Sequence, residues 1–325
     1  MNILVTGGAG YIGSVCVAQL LDAGHAVTVV DNLSRGHRAA VDERARLVEG
    51  DVGDAEVLAR ALRGAEAVVH FAAHAFVGES MVHPGLYFEN NLARGIRLLQ
   101  AATEANVRRF VFSSTCSVYG HPERLPLDET TPTRPINPYG ASKRMMEEVL
   151  QWFHTIHGLP YVAFRYFNAA GATARHGQAL HSESRLIPNV LKVARGDLPH
   201  VEVFGSDYPT PDGTCIRDYI HVSDIARAHA LALETDVTGV FNLGTGRGHS
   251  VREVLEVCEK VTGRALARRE HSRRPGDPAE LVATADKAAR ELSWRPRISD
   301  LEDIVRSAWQ WHQAHPHGYD KQSVQ

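Results

Sequence analysis

Short apolar runs alternate with longer amphipathic stretches through the first half of the chain. Runs at 3–6, 26–31, 47–49, 67–71, 110–114 and 161–166 read as strands, and segments near 12–23, 55–63, 86–105 and 139–157 repeat their apolar positions at helical spacing. Strands alternating with helices predict βαβ units and a parallel sheet. Beyond about residue 170 the pattern changes: Pro, Gly and His become frequent, helical stretches shorten, and strand-like runs near 201–204 and 266–270 stand isolated. This predicts a second, smaller domain. One stretch is displaced from its surroundings. Thr238-Gly-Val-Phe-Asn-Leu-Gly-Thr-Gly246 is another apolar strand ending in glycines, and it suits the edge of the first sheet. The expected division is 1–170, with a return segment near 221–248, and 171–325.

Composition narrows the class. With 44% hydrophobic and 22% charged residues, the 325-residue chain is neither disordered nor fibrous. A formal net charge of −3 offers no basic field for nucleic acid. No stretch approaches the ~18 apolar residues of a membrane span, and no charged leader precedes the first strand, so no signal peptide is expected. Cys16, Cys116, Cys215 and Cys258 form neither a close pair nor a metal spacing, and they read as reduced thiols of a cytoplasmic protein. His70/His74, His154/His157 and His312/His315/His317 lack a carboxylate or cysteine cluster, so no metal is expected.

Thr6-Gly7-Gly8-Ala9-Gly10-Tyr11-Ile12-Gly13-Ser14 follows the first strand and opens the first helix. Glycines at this spacing allow a tight turn and bring backbone N–H groups to a pyrophosphate, while the helix N-terminus adds partial positive charge. Asp31 ends the second strand, 18 residues past Gly13, where a carboxylate accepts hydrogen bonds from both ribose hydroxyls and repels a 2′-phosphate. The arrangement favours NAD, and nearby Arg35 and Arg38 keep NADP open. Gly7, Gly10, Tyr11, Ile12, Gly13, Asp31 and Asn32 are the expected contacts here. Asp51, followed by Val52, is either an adenine contact or a surface turn acid. Small residues in Phe71-Ala72-Ala73 leave room for the cofactor against the sheet. The expected fold is α/β, a Rossmann-type doubly wound parallel sheet with a second, smaller α/β substrate domain.

Asn137-Pro138-Tyr139-Gly140-Ala141-Ser142-Lys143 carries the second signal. Asn137 is a good N-cap and Pro138 suits the first helical position. Tyr139 and Lys143 then share a helix face at i and i+4. A phenol is a poor base at its free pKa of about 10, and a nearby ammonium and a nicotinamide cation both favour the tyrosinate. Thr115, 24 residues before Tyr139 and at the end of the fifth strand, can bridge the phenol and a substrate oxygen.

The chain resembles the extended short-chain dehydrogenase/reductases, and within them the UDP-glucose 4-epimerase family. The resemblance runs from Asn2 to about Tyr319. It rests on His70-Phe-Ala-Ala-His-Ala-Phe-Val-Gly-Glu-Ser80, Phe112-Ser-Ser-Thr-Cys-Ser-Val-Tyr-Gly120, Asn137-Pro-Tyr-Gly-Ala-Ser-Lys143, Arg165-Tyr-Phe-Asn168, Asp212-Gly-Thr-Cys-Ile-Arg-Asp-Tyr-Ile-His-Val222 and Arg273-Arg-Pro-Gly-Asp277. The Ser-Thr-Cys run, Asn-Pro-Tyr-Gly and His315-Pro-His-Gly-Tyr319 are also similar to UDP-arabinose/UDP-xylose 4-epimerases.

The resemblance implies a redox epimerisation, UDP-glucose to UDP-galactose, through a transient 4-keto sugar with NAD tightly held. Tyr139 is the implied base, Lys143 holds the nicotinamide ribose and lowers the tyrosine pKa, and Thr115 sits beside O4. Ser113 and Tyr166 are placed at the nicotinamide and Asn90 at the cofactor diphosphate. Arg217 and Arg274 match phosphate-binding arginines, whose guanidinium forks suit a diphosphate. Asp277 and Tyr219 match sugar-nucleotide contacts, Asn168 a diphosphate or sugar contact, and Phe204, with Val203 before it, lies beside the uracil position. Leu186 follows Arg185 in the implied substrate segment. The family forms homodimers, implied here for the helices near 86–105 and 139–157.

Departures from the family pattern matter. Ala75 stands where many relatives carry a cofactor-binding lysine. Arg185 replaces the usual Asn or His near the diphosphate, which adds a phosphate contact or signals a different substrate. Cys116 and Ser117 occupy the positions of the two acids of 4,6-dehydratases, so elimination of water is not expected. Leu281 falls where bulk limits the group on C2 of the sugar. The alternatives are a UDP-xylose/UDP-arabinose or UDP-N-acetylhexosamine 4-epimerase. A non-catalytic NAD-sensing protein would have lost Tyr139 or Lys143, and a simple dehydrogenase would release NADH.

Overall fold

The computed structural model describes residues 1–179 and 185–319. Its strands are β1 (Asn2–Thr6), β2 (Ala26–Asp31), β3 (Arg46–Glu49), β4 (Ala67–His70), β5 (Arg109–Thr115), β6 (Tyr161–Tyr166), β7 (Asn168–Ala170), β8 (Val201–Phe204), β9 (Ile216–His221), β10 (Gly239–Leu243), β11 (Gly248–Ser250), β12 (Arg268–His271) and β13 (Glu280–Leu281). Its α-helices are α1 (Tyr11–Asp22), α2 (Ala55–Ala61), α3 (Val77–Val82), α4 (Pro84–Phe88), α5 (Arg94–Glu104), α6 (Pro138–His157), α7 (Leu186–Arg195), α8 (Val222–Leu233), α9 (Val251–Thr262), α10 (Asp286–Glu291) and α11 (Leu301–Ala314).

Seven strands form one parallel sheet in the order β10-β6-β5-β4-β1-β2-β3. β4, β5 and β6 are buried along almost their whole length, as a parallel sheet covered on both faces requires. Val15 and Leu20 of α1 and Ile225 and Ala228 of α8 cover one face. Leu58 of α2, Leu98 of α5 and Met146 of α6 cover the other. The chain reverses its direction of growth at β1, which pairs with both β2 and β4. Ligands of doubly wound sheets bind at such a switch point, outside the strand C-termini.

After β6 only Phe167 intervenes before β7, which pairs with β9 in a second sheet. β9 also carries β13 in parallel and β11 antiparallel, and β8 and β12 form a separate parallel pair. Leu191, Val254, Leu255 and Ile304 pack α7, α9 and α11 into a third core. The chain then returns: α8 packs on the first sheet, and β10 lies in register beside β6 with Phe241 opposite Phe164.

The helix predicted over 86–105 is interrupted. α4 and α5 are separated by a π-helical turn at Glu89–Ala93, a wider turn frequent at functional sites. It presents Asn91, 1% exposed, to the segment after β4. Its side chain accepts from the His74 N–H at 2.9 Å and donates to the His74 carbonyl at 3.0 Å and to Ser142 Oγ at 3.2 Å. Asn91 thereby ties the loop after β4 to α6. α6 starts where the sequence places it: Asn137 Oδ1 accepts the Gly140 N–H at 2.8 Å and Pro138 takes the first position.

Candidate active site

A cavity of about 870 Å³ opens at the C-terminal edge of the first sheet, against β7, β9, α7 and the 274–281 segment. Its floor on one side is the glycine loop. Gly7 has φ +71, and a Cβ there would lie 2.5 Å from the Ala72 nitrogen. A Cβ on Gly13 would lie 2.1 Å from the Gly7 carbonyl oxygen. α1 begins with neither a side-chain cap nor an acidic residue in its first turn, which leaves its N-terminal amides for an anionic ligand. Asp31 Oδ2 accepts the Ala9 N–H at 3.0 Å and Oδ1 the Leu33 N–H at 2.9 Å, so this carboxylate also braces the loop. Burial pushes its pKa up, and the two N–H bonds oppose the shift. A backbone cradle beside a buried acid fits a dinucleotide.

Gly7, Gly10, Tyr11, Ile12, Gly13, Phe71, Ala73, Ser113, Tyr139, Lys143 and Tyr166 line the cavity. Asp31, Asn32, Asp51, Val52, Ala72 and Asn90 stand outside its lining. Asp51 pairs with Arg94 and accepts from Asn32 Nδ2 at 3.3 Å, so it is held within the protein. Val52 is a core residue, and Asn90 Nδ2 donates to Asn91 Oδ1 at 3.0 Å.

Tyr139 is hydrogen-bonded to the side chain of Thr115. Burial pushes its phenol above the ordinary value, opposed by that hydrogen bond and by the charge of Arg185. Lys143, 2% exposed, donates from Nζ to the Ser113 carbonyl at 2.7 Å and lies 4.7 Å above the centre of the Phe112 ring. Burial pulls it down to about 7, and Glu147 opposes the shift. The Lys143 amine is turned to the strand, and Arg185 is a cation whose charge favours the tyrosinate. Tyr166 lines the cavity, but its hydroxyl is taken by His229 Nε2 at 2.7 Å.

Across the cavity, Arg217 on β9 pairs with Asp277 and donates to the Ile216 and Pro278 carbonyls, both at 2.8 Å. The Arg274 guanidinium lies 3.8 Å over the Phe204 ring, whose other neighbour is His271 at 5.2 Å. Asn168, Arg185, Leu186, Phe204, Tyr219 and Leu281 share the lining, whereas Val203 is buried in the third core. Cys116 and Cys215 reach it as well, and all four cysteines are unpaired. Burial pushes the Cys116 thiol up to about 12, which makes it a poor nucleophile. Among the described residues no group of three or more His, Cys, Asp or Glu is placed to hold a metal.

Two structural supports have no role assigned from the sequence. Asp218, fully buried, accepts from Thr245 and Gly246 and anchors β9 to the loop after β10. Glu147 and Arg165 form a buried ion pair beneath the cavity. An arginine inside the apolar run Tyr161-Val-Ala-Phe-Arg-Tyr166 is itself a signal, since a buried guanidinium demands a counter-charge.

A glycine loop at a switch point, facing a tyrosine–lysine helix, defines a dinucleotide-dependent α/β enzyme. The model of the NAD dependent epimerase/dehydratase family matches residues 3–244, and the chain belongs to that family. It is 47% identical, over 99% of both chains, to a UDP-glucose 4-epimerase from Halalkalibacterium halodurans. It is 40% identical to a putative UDP-arabinose 4-epimerase from Arabidopsis thaliana, over 98% of this chain and 78% of that one. Its fold matches the UDP-glucose 4-epimerase from Bifidobacterium longum in complex with NAD+ and UDP, with a TM-score of 0.94, 38% identity and coverage of 98% and 100%.

Proposed function

We propose that the chain interconverts UDP-glucose and UDP-galactose by NAD-dependent epimerisation at C4. The observation that carries this reading is the placement of Tyr139, Thr115 and Lys143 in one cavity with the glycine loop on one side and Arg217, Arg274 and Asp277 on the other. Gly7, Gly10, Gly13 and Asp31 hold NAD, whose nicotinamide supplies a reversible acceptor for the C4 hydride. Tyr139 takes the proton of the 4-hydroxyl and returns it to the epimer, a role that requires the phenol within reach of O4. Thr115 donates to or accepts from the same oxygen and fixes the phenol. Lys143 holds the nicotinamide ribose. Arg217 and Arg274 grip the diphosphate, and the rest of the cavity leaves the sugar free to present either face.

Incubation with UDP-galactose and no added NAD, followed by chromatography, tests the reading. UDP-glucose forms without net NADH, because the hydride returns to the sugar. Stoichiometric NADH would show a dehydrogenase, and no conversion would overturn the assignment.

The chain acts as a homodimer in the cytoplasm. Trp152 and Ile156 on α6 are 64% and 67% exposed, and Leu86 on α4, which packs against α6, is 43% exposed. Exposed apolar side chains on these two helices suit burial against a second copy. Sedimentation of Trp152→Glu tests it, with a shift to monomer expected. No helix among the described residues is long and apolar enough to cross a membrane.

A further inference from the structure

Lys143 is not alone beneath the cavity. Glu147, one helical turn further along α6, is 4% exposed, and Arg165 on β6 is 5% exposed. Arg165 grips the carboxylate with both ends of its fork, Nε to Oε1 at 3.0 Å and Nη2 to Oε2 at 2.7 Å. Ser114, paired in register with Arg165 across β5 and β6, donates from Oγ to Oε1 at 2.5 Å. The remaining arm of Arg165 donates to the Tyr119 hydroxyl at 3.0 Å, which donates in turn to Asn242 Oδ1 at 2.7 Å. A buried pair of this kind stabilises a fold no better than well-packed apolar residues do, so its presence asks for another reason.

We propose that Glu147 is a positioning residue for the reactive pair: clamped by Arg165 and Ser114, it supplies the buried negative charge that keeps Lys143 an ammonium. The assignment rests on the reading of Tyr139 and Lys143 given above. Four elements place groups that bear on the charge of Lys143. On β5, Lys143 meets the Phe112 ring and the Ser113 carbonyl. On β4, His70 is 1% exposed, and burial together with Lys143 holds it down to about 3, so it is neutral near pH 7 and contributes no charge. On α6, Tyr139 is uncharged until it loses its proton, and Glu147 is the anion. On β6, Arg165 is permanently cationic. The Glu147 carboxylate is in contact with Arg165 and lies a helical turn from Lys143, whose charge it favours. Without it, burial and Arg165 both drive Lys143 toward the free amine.

The sign follows. Lys143 acts as a cation, so its function is complete below its pKa and is lost as pH rises through it. Removing Glu147 lowers that pKa, and removing Arg165 raises it, because the carboxylate then faces Lys143 alone. The chain holds five lysines, so the holoenzyme labelled with 13C at lysine Cε permits direct titration, with the Lys143 signal identified by its loss in Lys143→Arg. Glu147→Gln is expected to lower the Lys143 midpoint by about 1–3 pH units, the ordinary effect of a close opposite charge. Glu147→Asp, which only withdraws the charge, lowers it less. Arg165→Met raises it. The alkaline limb of kcat/KM for UDP-galactose moves in the same three directions. A merely structural role would lower activity in all three variants and leave the midpoint where it was. An unmoved midpoint in Glu147→Asp, or shifts of the same sign in Glu147→Asp and Arg165→Met, overturns the proposal. If the wild type turns over no UDP-galactose, the proposed activity falls while the titration still decides the role of Glu147.

Discussion

The two arms of the cavity are built from different materials. On the arm at β1 and α1, the fit is made by backbone: a turn at Gly7, close approaches at Gly7 and Gly13, uncapped amides, and one buried acid that braces the loop. On the arm at β9 and the 274–281 segment, it is made by side chains that already satisfy one another, Arg217 with Asp277 and Arg274 over Phe204. A backbone cradle is formed before any ligand arrives and gains little from rearrangement. A side-chain arm must exchange partners, so its affinity depends on how well a ligand replaces the bonds it breaks. Under the proposed function the difference separates the ligands: one held tightly through many turnovers, the other exchanged at each.

The largest effect should come from the point where the arms meet. Tyr139→Phe removes the proposed proton acceptor and is expected to lower kcat by at least about 10²-fold, the lower end of general-base contributions. The lost hydroxyl leaves the fold, the bound NAD and UDP binding in place. Near-normal epimerisation by this variant would remove Tyr139 from the mechanism and the meeting point from the comparison. Arg217→Ala comes next. It strands Asp277 in a partly buried site and removes the diphosphate contact proposed above. Truncating one member of such a pair costs about 2–5 kcal/mol, so KM for the UDP-sugar should rise roughly 30-fold or more. The NAD content of the purified protein should not change. A parallel loss of NAD would show that the arms are not independent.

How much could be read from sequence follows the same division. Strand, glycine loop, helix and acid lie within the first 31 residues, and spacing along the chain is spacing in the site. The Asn137 cap and the i, i+4 relation of Tyr139 and Lys143 are equally local. Arg217 and Asp277 are 60 residues apart and meet only through the two-residue strand β13, and Phe204 meets Arg274 across 70 residues. No periodicity marks such a strand, and only family resemblance points to those residues. The π-helical turn that positions Asn91 escaped because 86–105 has an unbroken helical pattern. Lys143 shows the limit of face arguments: i+4 places it beside Tyr139, yet its ammonium is bonded to Ser113.

Asp31→Asn sharpens the backbone arm with a smaller effect. The amide keeps the shape of the carboxylate but loses its charge, and one of its ends becomes a donor facing N–H groups of Ala9 and Leu33. Hydrogen bonds to a charged group contribute about 1.5–3 kcal/mol, so retention of NAD on dilution should weaken by about 10-fold or more. UDP binding, measured by calorimetry on the same preparation, should be unchanged. Equal weakening of both ligands would mean that Asp31 acts through the fold and not through the cofactor.

The smallest effect belongs to the sugar end of the side-chain arm. Leu281 lies on β13 opposite Arg217, 5% exposed, and packs with Cys116, Phe167 and Ala283 while lining the cavity. If the C2 group of the sugar sits against Leu281, as the family resemblance implies, this branched side chain disfavours N-acetylated sugars, since overlap in a packed site costs about 1–3 kcal/mol. Leu281→Ser should therefore raise kcat/KM for UDP-N-acetylglucosamine relative to UDP-glucose by about 5-fold, the lower end of that range. Removing a buried leucine also destabilises the fold, by about 2–5 kcal/mol. The ratio of the two sugars in one preparation cancels that loss, because both are turned over by the same folded fraction. UDP-pentoses lack the C6 group and carry no acetamide, so their ratio to UDP-glucose should not move with this residue. An unchanged ratio for the N-acetylated sugar would return Leu281 to the core, and the side-chain arm would then set how tightly the nucleotide is held without setting which sugar it carries.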